Sequence, residues 1–500
     1  MIAAPLPLKV LFVTPECAPW AKTGGLGDVS AALPAALGAL GHDVRVLMPA
    51  YRSLAPLVQA ADERVPLPAL GVWPAASLAE VKADGFTLWL LDCPELYDRP
   101  GGPYGDESES AVELNAKRFG FLSHVAARLA SAATPWPQWR AQVLHGNDWP
   151  LGLAFAYLRR MPAPRAVGVF TIHNLAFQGN FPAEHAQALE LPPEFMHVEG
   201  LLHWDQISMM KAGMRYADAI TTVSPTYARE IQQEPLGFGL DGMLRYRAAD
   251  LHGILNGIDT QVWNPATDPL IAACYSAASM DGKRVNKAVL QAQTGLAAEP
   301  GTLLFGMVSR LTEQKGIDLI LASLDWIVSH GCQLVVLGGG EAEFEQRLRE
   351  AAAAHPSQIA VRLVFDEPLA HLIEAGADCF LMPSRFEPCG LNQMYSQVYG
   401  TLPIVRATGG LADSVRDAGS GEGTGFAFEE DSAAALQHTM ARAQRTFLKP
   451  AAWRSLQERA MTLQYGWAAS AARYVEVYRA CAERYARAYQ GNAPDTAAKG

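Results

Sequence analysis

The chain alternates between short runs of apolar, mostly β-branched residues and longer segments with apolar residues at helical spacing. In the first half, the strand-like runs occupy residues 9–14, 43–48, 86–91, 142–145, 166–172, 219–223 and 251–255. Helical patterns lie between several of these runs, for example at residues 111–131 and 151–160. This alternation predicts βαβ units, and therefore a mostly parallel sheet that is covered by helices on both faces.

A second alternating series follows a break in the pattern at residues 256–265. Its strand-like runs occupy residues 303–309, 333–337, 361–364, 379–382, 402–405 and 425–428. We therefore predict an α/β protein with two doubly wound, Rossmann-like domains, residues 1–255 and 256–466, that face a cleft. The long helical pattern at 467–489 is expected to cross back onto the first domain. The small, polar tail at 490–500 is expected to be disordered.

Composition agrees with this division and excludes some partners. The 500 residues exceed what one core covers, and half of them are hydrophobic. The net charge of −11 argues against non-specific nucleic-acid binding and against a polybasic membrane-binding surface. No apolar run reaches the roughly 18 residues that a membrane span needs. We therefore expect neither nucleic acid nor membrane as a partner.

The cysteines and the N-terminus indicate a compartment. The seven cysteines are scattered and contain no C-x-x-C pair, so neither a disulfide framework nor a zinc site is expected. Pro5, Pro7 and Lys9 interrupt the apolar N-terminal residues, which then continue as a strand. This pattern is unlike a secretory signal, and the sequence favours the reducing cytoplasm.

Ligands of open α/β sheets bind beyond the carboxyl ends of the strands, so the candidate chemistry lies in the segments that follow each strand. The first such segment is the glycine-rich loop KTGGLGD at 22–28, between a predicted strand and a helix at 30–40. Its glycines allow a close approach of the backbone, the helix N-terminus offers N–H groups to an anion, and Lys22 adds positive charge. A similar hexapeptide, TGGLAD, follows a later strand at 408–413. An ordinary βα turn is the alternative interpretation of such a loop.

In the second half, charged residues follow two predicted strands. Arg310 and Lys315 lie in the loop after the run at 303–309, where two cations and a helix N-terminus suit a diphosphate. Glu387 follows the run at 379–382, in a loop that is restricted by prolines. Cys389 has no histidine near it in the sequence, so we interpret it as a small, inert thiol.

In the first half, Asp148 and His173 follow the runs at 142–145 and 166–172. Side chains of these types at neighbouring strand ends can hold sugar hydroxyls or a polarised carbonyl. Each alone is more often a packed structural residue. Together with the Lys22 loop they predict a polar rim at one edge of the first sheet.

Five motifs, in order along the chain, resemble those of bacterial glycogen synthases and plant starch synthases. They are KTGGLGD at 22–28, NGID at 256–259, RLTEQKG at 310–316, RFEPCG at 385–390 and TGGL at 408–411. The resemblance covers most of the chain. It implies the two-domain GT-B fold and a retaining transfer of glucose from ADP-glucose to the non-reducing 4-OH of an α-1,4-glucan such as glycogen, without a cofactor.

The resemblance also implies roles for residues of the second domain. Arg310 and Lys315 would hold the diphosphate and stabilise the leaving ADP. Glu387 would contact the glucose hydroxyls, Phe365 would stack on adenine, and the backbone amides at 409 and 410 would cradle phosphate.

In the first domain, Lys22 would contact the sugar nucleotide and Asp148 would bind a glucose hydroxyl. His173 would place its backbone carbonyl or its ring near the anomeric centre. The remaining substrate-binding positions that match the family's motifs are Gly25, Asp28, Asn256, Gly390, Leu391, Thr408, Gly409 and Gly410.

Two departures from the family's pattern bear on these roles. The family often has histidines where this chain has Asn147 and Pro150, which puts contacts to the acceptor there in question. Tyr395 stands where related transferases place a second glutamate, so the ribose must be held by another group. No D-x-D triplet occurs, so we predict no metal and assign the diphosphate charge to Arg310 and Lys315.

Three alternatives remain open at the level of the sequence. The chain could use UDP- or GDP-sugars to build small glycosides, which competition between donors would reveal. It could be a phosphorylase, which would carry pyridoxal phosphate on a lysine and absorb visible light. It could also be an inactive glucan- or nucleotide-binding protein. The joint presence of Lys22, Arg310, Lys315 and Glu387 argues against the last alternative.

Overall fold

A computed structural model describes residues 6–105, 109–364 and 366–491. Its contacts divide the chain into two compact units. The N-terminal unit comprises Met1–Val223, Ala228–Asn256 and Trp467–Gly500, and the C-terminal unit comprises Ser224–Tyr227 and Gly257–Gly466. The end of the chain therefore groups with its beginning. Most of the predicted tail, residues 492–500, lies outside the described residues, as does Phe365.

The N-terminal unit is built on a nine-stranded sheet with the order β12-β11-β7-β6-β1-β2-β5-β4-β3, and a small sheet with the order β8-β10-β9. The strands are β1 Lys9–Val13, β2 Asp43–Pro49, β3 Glu63–Leu67, β4 Ala76–Lys82, β5 Thr87–Asp92, β6 Val143–Asn147, β7 Val167–Ile172, β8 Asn180–Pro182, β9 Leu202–His203, β10 Gln206–Ser208, β11 Ala219–Thr222 and β12 Leu251–Gly253. The central strands β7, β6, β1 and β2 are mutually parallel, and their buried Val, Leu, Ile and Phe side chains suit a sheet covered on both faces.

Nine helices accompany these strands in the described part of the chain. They are α1 Gly25–Ala39, α2 Ala55–Ala60, α3 Pro94–Tyr97, α4 Glu109–Leu129, α5 Gly152–Arg160, α6 Met209–Tyr216, α7 Pro225–Glu230, α8 Asp241–Tyr246 and, at the end of the chain, α18 Trp467–Gly491. Helix α18 buries Trp467, Tyr474 and Tyr478 in the same core as Val10 and Leu33. This packing covers one face of the sheet of the N-terminal unit.

The C-terminal unit is built on a six-stranded parallel sheet with the order β15-β14-β13-β16-β17-β18. Its strands are β13 Leu304–Val308, β14 Gln333–Leu337, β15 Ile359–Arg362, β16 Cys379–Met382, β17 Leu402–Arg406 and β18 Phe426–Phe428. Its helices are α9 Asp281–Thr294, α10 Ile317–Leu321, α11 Leu324–Ser329, α12 Ala342–Ala354, α13 Glu367–Gly376, α14 Asn392–Val398, α15 Gly409–Ser414, α16 Ala433–Phe447 and α17 Pro450–Met461. Two apolar clusters, around Phe305 and Leu304, fill the two faces of this sheet.

The α/β class with parallel sheets is confirmed, but the hydrophobic pattern missed several strands. Strands β3 and β4 are antiparallel additions to the edge of the first sheet, and β3 carries the sequence ERVPL with only Leu67 buried. An edge strand that is largely exposed lacks the apolar run that predicts a buried strand. The run at 361–364 was placed too late, because β15 ends at Arg362.

Candidate active site

In the C-terminal unit, the predicted site residues follow three neighbouring strands. Strand β13 pairs in parallel with β16, and β16 pairs in parallel with β17. The loop with Arg310 and Lys315 follows β13, Glu387 follows β16, and Thr408 to Gly410 follow β17. Because parallel strands end at the same edge, the topology brings these three loops together.

Lys315 and Glu387 form the central contact of this cluster. Lys315 Nζ lies 2.5 Å from Glu387 Oε2, and Ser384 Oγ donates to the same oxygen at 3.0 Å. The Lys315 side chain is 18% exposed and that of Glu387 is 8% exposed. This partly dry environment strengthens electrostatic interactions relative to open water, so the pair presents a fixed charge arrangement.

The loops after β13 and β16 also hold each other through backbone and guanidinium contacts. The N–H of Arg385 donates to the Gln314 carbonyl at 2.9 Å, and Gln314 Nε2 donates to the Phe386 carbonyl at 3.2 Å. The Arg385 guanidinium binds both carboxylate oxygens of Asp318 at 2.7 and 2.8 Å. Hydrogen bonds from Arg385 lower the pKa of Asp318, and the same contact raises the pKa of Arg385. The sequence interpretation gave Arg385 no role, although its place at a strand end was visible.

The glycines after β17 pack directly against the Glu387 loop. Gly409 has φ +45°, and a Cβ on it would lie 1.9 Å from the Glu387 carbonyl oxygen. The N–H of Gly410 donates to the Glu387 carbonyl at 3.1 Å. The Gly410 N–H, which the resemblance implies as a phosphate contact, thus has a carbonyl of the neighbouring loop as its partner in this structure. Thr408 is buried and precedes the first turn of α15.

Arg310 differs from the other cations of this cluster because it is exposed. Among the described residues its guanidinium forms no ion pair, whereas Lys315 and Arg385 are paired. This exposed, unpaired guanidinium, in the same loop as the paired Lys315, is available to a further anion.

Two further predicted residues lie in the loop after β16. Gly390 has φ +70°, and Leu391 precedes the first turn of α14.

Tyr395, which stands at the position of the second glutamate of related transferases, packs against an aromatic ring. Its ring stacks on Trp263 with centroids 3.9 Å apart, and His371 stacks near Trp263 at 3.8 Å. Tyr395 is 7% exposed. It is therefore a component of the packing of the C-terminal unit.

In the N-terminal unit, three predicted segments likewise follow neighbouring strands. Strand β6 pairs in parallel with β1 on one side and with β7 on the other. Lys22 lies in the loop after β1, Asp148 directly follows β6, and His173 directly follows β7. Asn256, at the end of this unit's second segment, is 6% exposed, and its Oδ1 is buried without a partner among the described residues.

Asp148 is held in an uncommon backbone conformation with an unsatisfied oxygen. Its φ is 62°, it is 8% exposed, and Oδ1 is buried without a partner within the described ranges. Burial raises the pKa of Asp148 to about 8, against the opposing effect of the His173 and Asn174 N–H groups. A residue with a strained backbone often has a function, and a carboxyl oxygen that lacks a hydrogen-bond donor can accept a hydrogen bond from a ligand hydroxyl.

The His173 ring is oriented by Asn147. His173 Nε2 lies 3.0 Å from Asn147 Oδ1, and Asn147 Nδ2 donates to the Val13 carbonyl at 3.0 Å. Burial lowers the pKa of His173 to about 3, so the ring is neutral at neutral pH. Pro150 is buried in a short turn, where its carbonyl accepts from Ser123 Oγ. Asn147 therefore contributes to the candidate site by orienting the His173 ring. Pro150 is a buried structural residue.

The glycine-rich loop is organised by a carboxylate that the sequence interpretation missed. Glu16 Oε2 accepts the N–H of Thr23 at 2.6 Å and that of Gly24 at 3.3 Å, and Glu16 is 3% exposed. The expected free N–H groups at this helix start are thus partly occupied by an internal anion. Within the loop, Lys22 Nζ lies 2.7 Å from Asp28 Oδ1. Helix α1 begins at Gly25, five residues before the start that the sequence predicted. Glu16 follows a predicted strand, which was the one signal that could have revealed it.

Comparison with known proteins decides the family. Residues 9–246 match the family model described as starch synthase catalytic domain, and residues 292–451 match glycosyl transferases group 1. A glycogen synthase of Aromatoleum aromaticum is 54% identical over 477 residues, covering 94% of this chain and 96% of the relative. A glycogen synthase of Paracidovorax citrulli is 52% identical over 489 residues, covering 95% and 96%. The chain belongs to the bacterial glycogen synthase family.

Solved structures agree with this membership. The catalytic domain of starch synthase IV from Arabidopsis thaliana, bound to ADP and acarbose, superposes with a TM-score of 0.85 at 30% identity, covering 96% of this chain and 100% of the other. Sucrose-phosphate synthase from Thermosynechococcus elongatus, at 17% identity and a TM-score of 0.59, shares the fold. The resemblance drawn from the motifs and the GT-B fold class are confirmed.

Family membership gives the reaction. The chain is a retaining glucosyltransferase of glycogen synthesis, which moves glucose from a nucleotide sugar to a glucan, and ADP-glucose is the donor that the family implies. In the part of the chain that the structure describes, no helix is long and apolar enough to cross a bilayer. Within the same residues, no group of three His, Cys, Asp or Glu side chains is placed to hold a metal ion.

Proposed function

We propose that Arg310 and Lys315 bind the diphosphate of ADP-glucose and stabilise the charge that develops on the leaving ADP. The contact that carries this proposal is the Lys315–Glu387 pair at 2.5 Å, because it fixes an ammonium at the shared edge of β13 and β16. Arg310 supplies a second, exposed cation in the same loop. Preorganised charges of this kind are worth roughly 3–4 kcal/mol of transition-state stabilisation each.

Glu387 is proposed to hold glucose hydroxyls. Its Oε2 already accepts from Lys315 and Ser384, so this oxygen is a poor candidate for attack on the anomeric carbon. A carboxylate fixed by two donors keeps its other oxygen in a defined place for a hydroxyl of the substrate. Gly390, Leu391 and Thr408, in the adjoining loops, are proposed to line the same substrate site, and the backbone amides of Gly409 and Gly410 are proposed to cradle phosphate. Phe365 is still proposed to stack on adenine.

In the N-terminal unit, Asp148 is proposed to bind a glucose hydroxyl, and His173 is proposed to place its backbone carbonyl or its ring near the anomeric centre. Both residues follow central strands of the sheet, and Asp148 Oδ1 has no hydrogen-bond partner among the described residues, which supports a ligand contact there. Asn256 Oδ1 also lacks a partner in the part of the chain that the structure describes, which supports a substrate contact for Asn256. Lys22, with Gly25 and Asp28 in its loop, is proposed to contact the sugar nucleotide.

ADP as the nucleotide and glycogen as the acceptor are part of this proposal. The Arabidopsis starch synthase IV structure carries ADP and acarbose, which supports an adenine nucleotide and an oligosaccharide as ligands here. We further propose the cytoplasm as the compartment, which the seven free cysteines, six of them buried, support.

The proposal is tested by replacing Lys315. In Lys315→Ala, kcat for transfer of labelled glucose from ADP-glucose to glycogen should fall about 10²- to 10³-fold, as for the loss of one preorganised donor. Lys449→Ala, at an exposed lysine of the same unit, is the control and should keep wild-type kcat. Wild-type turnover in Lys315→Ala would remove the assignment. UDP-glucose in place of ADP-glucose tests the choice of nucleotide, and comparable kcat/KM values for the two would contradict it.

A further inference from the structure

The small sheet of the N-terminal unit ends in an unusual hairpin. Strands β9 and β10 pair so that His203 faces Gln206, which leaves Trp204 and Asp205 as a two-residue turn. Both turn residues have positive φ, 51° and 58°. Asn and Gly are the residues that suit such a turn, because a bulky side chain is strained there.

Little of the Trp204 side chain is buried by packing that would offset this strain. It is 80% exposed, and its ring meets His203 at a centroid distance of 5.7 Å. A large aromatic residue that is both strained and exposed indicates a function rather than a role in the core.

The hairpin that carries Trp204 is held in place by a buried lysine of α6. The ammonium of Lys211, which is 6% exposed, donates to the Leu202 carbonyl at 2.6 Å and also to the Val198 carbonyl. Ser208 Oγ accepts the N–H of Lys211 at 3.2 Å at the start of α6. A buried ammonium that binds two carbonyls of one loop holds the turn in a single place.

The same hairpin is tied to the segment that follows His173. The N–H groups of Met209 and Met210 donate to the carbonyls of Gly179 and Gln178 at 3.1 and 3.0 Å. Gly179 leaves room for the ring of Trp149, the residue after Asp148, since a Cβ there would lie 2.2 Å from that ring. The turn is thus coupled through packed residues to the proposed sugar-binding side chains.

A second exposed ring lies on this segment. Phe177 is 50% exposed, and the next residue, Gln178, donates through Nε2 to the Phe238 carbonyl at 2.9 Å. The neighbouring Gly239 approaches the indole, because a Cβ on it would lie 3.6 Å from Trp204 Nε1. Contacts through Gln178 and Gly239 therefore link Phe177 and Trp204 to one loop, residues 238–239.

We propose that Trp204, assisted by Phe177, is a stacking platform for the α-1,4-glucan acceptor. The C–H face of a glucose ring packs on an aromatic face while its hydroxyls reach polar neighbours, and the exposed Asn180, Asp205 and Gln206 of this sheet offer such partners. Separate rings among polar side chains suit a sugar chain better than a protein partner, which would need a continuous apolar patch. This inference rests on the proposed glucan acceptor and deepens it.

The test compares Trp204→Ala and Trp204→Asn with the wild-type enzyme. Both should raise the KM for glycogen and for maltoheptaose about three- to ten-fold, the effect of losing one aromatic contact, with kcat and the KM for ADP-glucose unchanged. Trp204→Asn should also melt at or above the wild-type temperature, because Asn tolerates the left-handed turn. Tyr246→Ala, which removes a ring that is 81% exposed on α8, is the matched control and should leave every constant unchanged.

The outcomes separate the two proposals. If the wild-type enzyme transfers glucose to glycogen but both Trp204 variants keep its acceptor KM, the platform is refuted and the proposed function stands. If no glucan accepts glucose from the wild-type enzyme, the proposed acceptor itself is refuted. A change in sedimentation of Trp204→Ala would show that the ring serves an interface between copies of the chain, which would also overturn the platform.

Discussion

Asn147 shows how one buried amide can determine the chemistry of a neighbouring ring. Its Nδ2 donates to the Val13 carbonyl, so its Oδ1 faces His173 Nε2 and accepts a hydrogen bond from the ring N–H. The His173 tautomer is therefore the one protonated at Nε2, and Nδ1 carries the lone pair. Since burial keeps the pKa of His173 near 3, the ring offers an acceptor at neutral pH.

Asn147→Asp should give His173 a titration that the wild-type enzyme lacks. A carboxylate beside Nε2 stabilises the imidazolium and raises the pKa of His173, so more of the ring becomes charged as the pH falls. We expect kcat/KM of the variant to show an additional fall toward low pH between about 8 and 5, beyond the effect that Asp148, whose pKa burial raises to about 8, has on both enzymes.

The control for this change is the double variant Asn147→Asp with His173→Gln. It should be slow at every pH but should lose the acid limb that Asn147→Asp added, because the titrating ring has been removed. If that additional limb persists in the double variant, it belongs to a group other than His173. A pH profile of Asn147→Asp that is identical to that of the wild-type enzyme would contradict the tautomer argument.

At the scale of elements, contacts of Arg385 join the loop after β16 to the segment after β13, and we call this set of contacts the clamp. Arg385 binds Asp318 through two parallel hydrogen bonds and lies 3.1 Å from Asp431. The Arg385 side chain is 26% exposed, so solvent weakens these contacts only in part. The clamp aligns the segment that carries Glu387 with the segment that carries Lys315.

Arg385→Ala should loosen the Glu387 loop and lower kcat about ten-fold, because misplacement of a positioned group costs rate even where it does not touch the substrate. Arg349→Ala is the matched control, since Arg349 binds Glu345 at 2.8 Å on the exposed face of α12. Initial rates with ADP-glucose and glycogen measure both. Equal kcat values for the two variants would show that the clamp has no part in positioning.

The elements that the sequence predicted well are those with a strong hydrophobic period. β14 and β16 coincide with the predicted runs because continuous buried Val, Leu and Phe residues define them. Lys315 and Glu387 could be predicted to lie near each other because parallel strands end at one edge of a sheet, and the structure brings their side chains into contact. Glu16 was missed because only the folded loop brings its carboxylate to the N–H of Thr23, seven residues later in the sequence.

At the scale of the whole molecule, the chain leaves the N-terminal unit at Asn256 and returns to it at Trp467. The returning helix is anchored by a buried hydrogen bond, in which His145 Nδ1 lies 2.7 Å from Tyr478 Oη, while His145 Nε2 lies 2.6 Å from Thr171 Oγ1. Arg484 adds an exposed ion pair to Asp250 at 2.9 Å. Residues more than 300 positions apart in sequence thus share one core, as the predicted crossing of the last helix requires.

This anchor should make the stability of the N-terminal unit depend on pH in a defined direction. Burial lowers the pKa of His145 from 6.5 to about 3, so the folded chain binds fewer protons at this site than the unfolded chain between those values. The stability that neutral His145 contributes is therefore complete above pH 6.5 and is lost as the pH falls toward 3. His145→Gln, which cannot titrate, should lack this loss. The wild-type advantage in unfolding free energy should shrink by about 1.4 kcal/mol per pH unit below 6.5.

Denaturant titrations at pH 7.5, 6.0 and 5.0 measure the difference in unfolding free energy between the wild-type chain and His145→Gln. The unfolding transition to analyse is the one whose midpoint the substitution shifts. Taking the difference between two chains cancels the titration of other groups, such as Asp148, whose raised pKa acts in the opposite direction. His438→Gln, the same substitution at an exposed histidine of α16 outside the N-terminal unit, serves as the control. A difference for His145→Gln that stays constant from pH 7.5 to 5.0 would mean that His145 binds protons equally in the folded and unfolded chains, which would contradict the anchor as a buried, neutral ring.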